Sequence, residues 1–222
     1  MRRSKNPFLN KKKDGFFLYE RARTRHSRLP MPHLVLDVQI TADAWRRVPR
    51  LRARLQSAAR AVAGHLPPAL LVSAEATLLL AGNAKVRQLN LDFRGIDRAT
   101  NVLSFPQFSP SELRRLKKQR NAVFLGDIVL GYSYIADEAK KDEKSLIGHA
   151  THLAVHGLLH LFGYDHADAA AARRMEIMEI KIMKSLGLPS PYAPLSTARK
   201  NRKAKTAGKK KNRMDAKALS KN

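Results

Sequence analysis

The segment HGLLHLFGYDH, from His156 to His166, sets three histidines in the spacing H-x-x-x-H-x-x-G-x-x-H. On a helix, His156 and His160 lie four residues apart and share one face, a turn above one another. Gly163 lets the chain leave that helix with positive φ, and the turn can carry His166 back towards the same point. Three neutral imidazoles converging in this way match a zinc site with an open position, the arrangement of a catalytic rather than a structural ion. Zinc held so lowers the pKa of its water to about 7 and provides a nucleophile at neutral pH.

Five of the eight histidines fall between His149 and His166, on an otherwise apolar segment where burying an imidazole is costly without a partner. His149 and His152 read as structural or as supports for a ligand, not as ligands themselves. There are no cysteines, so a metal must be held by histidines and carboxylates, and three histidines suit several divalent ions besides zinc. Asp165 has two readings: it orients a ligand imidazole, or it caps the helix starting near Ala167, and the second is favoured by the N-cap preference of Asp.

One large class of zinc peptidases shares the histidine spacing but carries Glu directly after the first histidine, where it takes a proton from the bound water. Here that position is Gly157. Met175 and Met178 lie in a strongly helical run, AARRMEIMEIKIM, and read as core residues, not as a turn beneath a metal. Peptidase chemistry by that route is not expected.

The elements that must position these residues follow from pattern. Leu34 to Ile40 alternates as a first strand. Ala44 to about Leu66 reads as one amphipathic helix, with Pro49 near its first turn and Pro67-Pro68 stopping it. Val72 to Leu80 is a second strand, Ala84 to about Phe93 a short helix, and Thr100 to Pro106 a third strand. Residues 109–121 form a polar insertion with some helix, and 124–132 a fourth strand. Two helices follow, at roughly 133–143 and 145–162, then a last one over about 168–186. Ser145 to Phe162 is apolar almost all round, which marks a buried helix. On that last helix Glu176 and Glu179 are expected to pair with arginines. Four strands and about five helices make a single α+β domain with a mixed sheet and a metal helix of zincin-like spacing.

The net charge of +25 is unevenly spread. Residues 1–30 hold ten basic and two acidic residues, and residues 199–222 hold eleven basic and one. The expected organisation is a disordered basic extension at 1–30, a folded domain at 31–194 and a disordered basic tail at 195–222. Such tails attract RNA or DNA phosphates without sequence preference. No apolar run reaches the roughly 18–20 residues that a membrane span needs. A cytoplasmic location without membrane attachment is the expectation.

Three blocks, LNLDFRGIDRATNVLSFP (89–106), LGDIVLG (125–131) and HLAVHGLLHLFGYDH (152–166), together resemble the YbeY family of metal-dependent endoribonucleases in order and spacing. The likeness runs from LDVQI at 36–40 to PSPY at 189–192. It implies a single-strand-specific nuclease that matures ribosomal RNA, notably the 3′ end of the small-subunit rRNA, and takes part in ribosome quality control. Zinc would be held by His156, His160 and His166, and the partners would be ribosomal RNA and the small subunit. The resemblance also assigns catalysis or RNA binding to Arg94. Read without it, Arg94 is a surface arginine or one paired with Asp92 or Asp97. Asp127 either lines the site or fixes a neighbouring strand, and Thr100, Asn101 and Ser104 either shape an edge for RNA or hold ordinary turns. A ribosome-associated assembly factor with weak nuclease activity is the alternative from a different class.

Overall fold

Leu34, Leu36 and Val38 are buried while the residues between them reach solvent, and this alternation builds strand β1 (Leu34–Ile40). A computed structural model describes residues 34–67, 73–116 and 122–192. The extensions expected at 1–30 and 195–222 lie outside the described residues. After β1 come α1 (Asp43–Arg46), α2 (Leu51–His65), β2 (Ala74–Ala81), α3 (Asn83–Arg94) and β3 (Val102–Pro106). The chain continues through α4 (Pro110–Arg115), β4 (Val123–Gly131), α5 (Tyr132–Lys141), α6 (Leu146–Leu161) and α7 (Ala169–Ser185). Five longer helices and a mixed sheet match the expected α+β architecture, with the short α1 and α4 added.

The single helix expected over 44–66 is two. Pro49 has no N–H to donate and restricts the residue before it, and Arg50 takes a left-handed conformation (φ 56°) that no α-helix continues through. Trp45 then anchors α1 separately: its fully buried indole donates Nε1–H to the Ala81 carbonyl at 3.1 Å and meets the Tyr132 ring edge-on.

The sheet order is β1-β2-β4-β3, with β1, β2 and β4 parallel and β3 antiparallel on the outer edge of β4. Both faces are covered. Leu78, Leu80, Ile128 and Leu130 join the large core shared with α2, α6 and α7, while Leu79, Val129 and Leu103 pack with Val86 and Leu89 of α3. Burial on both sides explains why β2, after the alternation of Ala74 to Thr77, ends in the continuous apolar run Leu78 to Ala81. No described helix is long and apolar enough to cross a membrane.

Candidate metal centre

Helix α6 begins at Ser145, whose side chain accepts the Gly148 N–H, and runs almost wholly buried beneath the sheet. At Gly157 the helix packs tightly on the sheet. A Cβ built there would stand 2.8 Å from Ile128 Cγ2 and 3.1 Å from Ser104 Oγ. The glycine therefore answers to packing of α6 on β3 and β4. Position 157 has no room for the peptidase glutamate.

The helix ends in a Schellman turn. Tyr164 N–H reaches the Leu159 carbonyl at 3.0 Å and Gly163 N–H the His160 carbonyl at 3.0 Å, with Gly163 at φ 83°. That reversal returns His166, so that one ligand atom from each of His156, His160 and His166 lies within 4.8 Å of the others. His156 and His160 are partly buried and His166 is exposed, which leaves one side open to solvent.

The partners of the rings decide their tautomers. His160 Nδ1 is 3.0 Å from the Tyr164 carbonyl, a group that only accepts. His156 Nδ1 is 2.8 Å from Glu179 Oε1, a carboxylate oxygen. Both Nδ1 atoms thus carry the proton and donate, leaving lone pairs on both Nε2 atoms. Those Nε2 atoms are 3.0 Å apart. Two lone pairs facing each other repel, and a cation between them with His166 as third donor turns the repulsion into ligation. The donor set fits a metal ion of zinc type.

Burial, and the nearby charges that His156 and His166 would carry, push the pKa of His160 down from 6.5 to about 4, against the hydrogen bond to Tyr164. Between those values the unfolded chain holds more protons than the folded one. The stability this contributes is present above pH 6.5 and is lost as pH falls towards 4. In chelator-stripped protein, unfolding free energies from urea titrations between pH 7 and 4 should decline at a slope of up to about 1.4 kcal/mol per pH unit. His160→Gln should flatten that part of the profile, and an unchanged slope in the variant would count against the assignment.

Glu179 is fully buried and turns its carboxylate to two histidines, partners that the sequence pattern does not name. It accepts from His156 at Oε1, and from His152 Nε2 at Oε2, 2.9 Å away. Its position was readable: Met175, Glu179, Ile182 and Met183 share the buried face of α7, so the helical period puts Glu179 inside. Asp165 is not the helix cap. Its Oδ1 accepts the His166 N–H, while Asp168 caps α7 by accepting from Ala171 N at 2.7 Å.

His149 is bound elsewhere, with Nε2 2.8 Å from Glu138 Oε2, and Glu138 also accepts from Asn101 Nδ2. Asn101 in turn receives the Val102 N–H. Asp127 has the parity of Val129, which puts it on the α3 face of the sheet, opposite the metal helix. Arg94, at the end of α3, is exposed. Of the two aspartates beside it, Asp97 is gripped by Arg87 through two contacts of 2.7 Å, and Asp92 accepts from Gln88 at 2.8 Å.

The fold and the three convergent imidazoles define an α+β domain with a candidate three-histidine metal centre at the end of one buried helix. The family profile of "Endoribonuclease YbeY" matches residues 40–187. The chain is 40% identical to Endoribonuclease YbeY of Bradyrhizobium diazoefficiens over 168 residues, covering 76% of this chain and 88% of that one. With Endoribonuclease YbeY of Sphingopyxis alaskensis the identity is 44% over 165 residues, covering 72% and 98%. A solution structure of TM1509 from Thermotoga maritima aligns with 72% of this chain and all of that one, at 17% identity and a TM-score of 0.43. The chain belongs to the Endoribonuclease YbeY family.

Proposed function

We propose that this protein is a zinc-dependent endoribonuclease that cuts single-stranded ribosomal RNA, acting in maturation of the 3′ end of the small-subunit rRNA and in ribosome quality control in the cytoplasm. His156, His160 and His166 are its metal ligands and Arg94 its catalytic arginine. The observation carrying this reading is the convergence of one nitrogen from each of His156, His160 and His166 within 4.8 Å at an open face, with the Nε2 atoms of the first two 3.0 Å apart.

When bound, zinc supplies a Lewis acid for phosphate oxygens and a water acidified to near pH 7. The chain's own residues supply the rest. A phosphodiester is already anionic and gains charge in the transition state, so a guanidinium fork aimed at its oxygens stabilises it directly. Arg94 is exposed at the end of α3, and Asp97, three residues on, is taken up by Arg87.

Edge strand β3 lies between the two groups. Ser104 faces α6 at Gly157, whereas Phe105 faces the other way and packs at a tilt against Phe93, the residue before Arg94, with ring centroids 4.9 Å apart. An RNA backbone crossing the outer edge of β3 can meet Arg94 on one side and the imidazoles on the other. The basic extensions at 1–30 and 195–222 would add non-specific attraction to phosphates.

The test is cleavage of a labelled single-stranded rRNA fragment, beside its duplex, by wild type and Arg94→Ala. The variant should keep its metal content and melting temperature yet cut about 10²–10³-fold more slowly, the usual loss when one charge-stabilising donor is removed. Unchanged cleavage with intact metal would take Arg94 out of the mechanism.

A further inference from the structure

We infer that Glu179 is a positioning residue of the metal centre and that His152, which is not among the three convergent histidines, holds Glu179 in place. This rests on the metal reading above and adds a second layer to it. Glu179 is 0% exposed on the face of α7 that carries Met175, Ile182 and Met183. A carboxylate in such surroundings persists only when its oxygens receive hydrogen bonds.

The two oxygens are divided between two rings of α6. Oε1 takes the proton of His156 Nδ1 at 2.8 Å, and Oε2 that of His152 Nε2 at 2.9 Å. The first bond fixes the tautomer that turns the His156 Nε2 lone pair outward. The second matters because the terminal torsion of a glutamate is broad and soft. With both oxygens engaged the carboxylate plane is set, and the plane of the His156 ring is set with it. A buried negative charge in contact with a ligand ring also raises that ligand's basicity.

The same helix contains its own comparison. One turn earlier, His149 meets Glu138 of α5 at 2.8 Å, but among the described residues Glu138 goes on to Asn101 and to no candidate ligand. Two glutamates thus brace α6, and of these Glu179 meets a candidate ligand ring. If bracing the helix were all that either glutamate did, losing either would disturb the site equally.

The experiment uses the full chain, stripped of metal and titrated with zinc against a chromophoric chelator. Cobalt(II) absorption spectra and the melting temperature of each metal-free variant are recorded alongside. Glu179→Gln should weaken zinc binding roughly 10–100-fold, the usual cost of losing an outer partner of a ligand, and should alter the cobalt spectrum. The amide keeps the shape but offers one acceptor where two N–H groups need one each. His152→Gln should weaken zinc in the same direction by less, and His149→Gln should leave affinity unchanged. Wild-type affinity and spectrum in Glu179→Gln, or equal losses in His149→Gln and His152→Gln, would overturn the inference while leaving the metal reading in place. A wild-type chain that binds no zinc removes the metal reading and the inference with it.

Discussion

Gly157→Glu, which writes the peptidase pattern H-E-x-x-H into this helix, is expected to destabilise the protein by more than about 4 kcal/mol, in the range reserved for a damaged core. The first carbon of any side chain would stand 2.8 Å from Ile128 Cγ2 and 3.1 Å from Ile128 Cδ1. Ile128 is fully buried and β-branched, so its Cγ2 cannot swing aside without leaving its rotamer. Overpacking of this kind costs about 1–3 kcal/mol. A carboxylate forced between strand and helix without a cation adds several kcal/mol more. The gain from replacing a helical glycine is at most about 1 kcal/mol and does not compensate. Gly157→Ala isolates the steric part and should be destabilising by less. Urea unfolding of both variants at one pH checks the ranking, and a stable Gly157→Glu protein that cleaves a peptide would refute this account of the position.

His160→Ala should abolish stoichiometric metal binding and cut RNA cleavage on the order of 10³-fold or more, beyond the 10²–10³ that loss of a single charge-stabilising donor costs. His160 is the central ring of the cluster. Its Nε2 lies 3.0 Å from that of His156, and its centroid is 4.6 Å from His156 and 5.0 Å from His166. Removing it leaves two donors, too few for the usual protein-ligand set of a zinc site. Metal analysis of the purified variant and cleavage of the single-stranded fragment, measured together, check the expectation. Equal cutting by both proteins would mean that the activity does not belong to this centre.

Much of the site was legible because its logic is local. His156 and His160 are set by helical periodicity, and His166 by a glycine whose positive φ makes a Schellman turn, all within eleven consecutive residues. The family likeness was legible for a similar reason, since its blocks are contiguous. Local pattern failed where neighbours compete for the same role. Asp165 and Asp168 both suit an N-cap, and backbone geometry gave the cap to Asp168. Asp97 stands three residues from Arg94, yet it is Arg87, two turns back on α3, whose fork meets both of its oxygens. Pro49 looked tolerable in a first turn, yet with Arg50 left-handed it separates two helices.

By itself, the sequence determined the strands, the buried histidine-bearing helix, the three convergent histidines and the absence of a glutamate beside the first of them. These depend on periods of two and 3.6 residues and on one glycine turn, which a short stretch of chain contains complete. Tertiary structure alone decided that Gly157 is demanded by Ile128 and Ser104, that Ser104 and Phe105 of one edge strand face α6 and α3 respectively, and that Glu179 reaches across from α7 to two rings of α6. Those are contacts between segments well separated along the chain. Nothing in the intervening sequence encodes them, and they arise only when the common core brings the helices together.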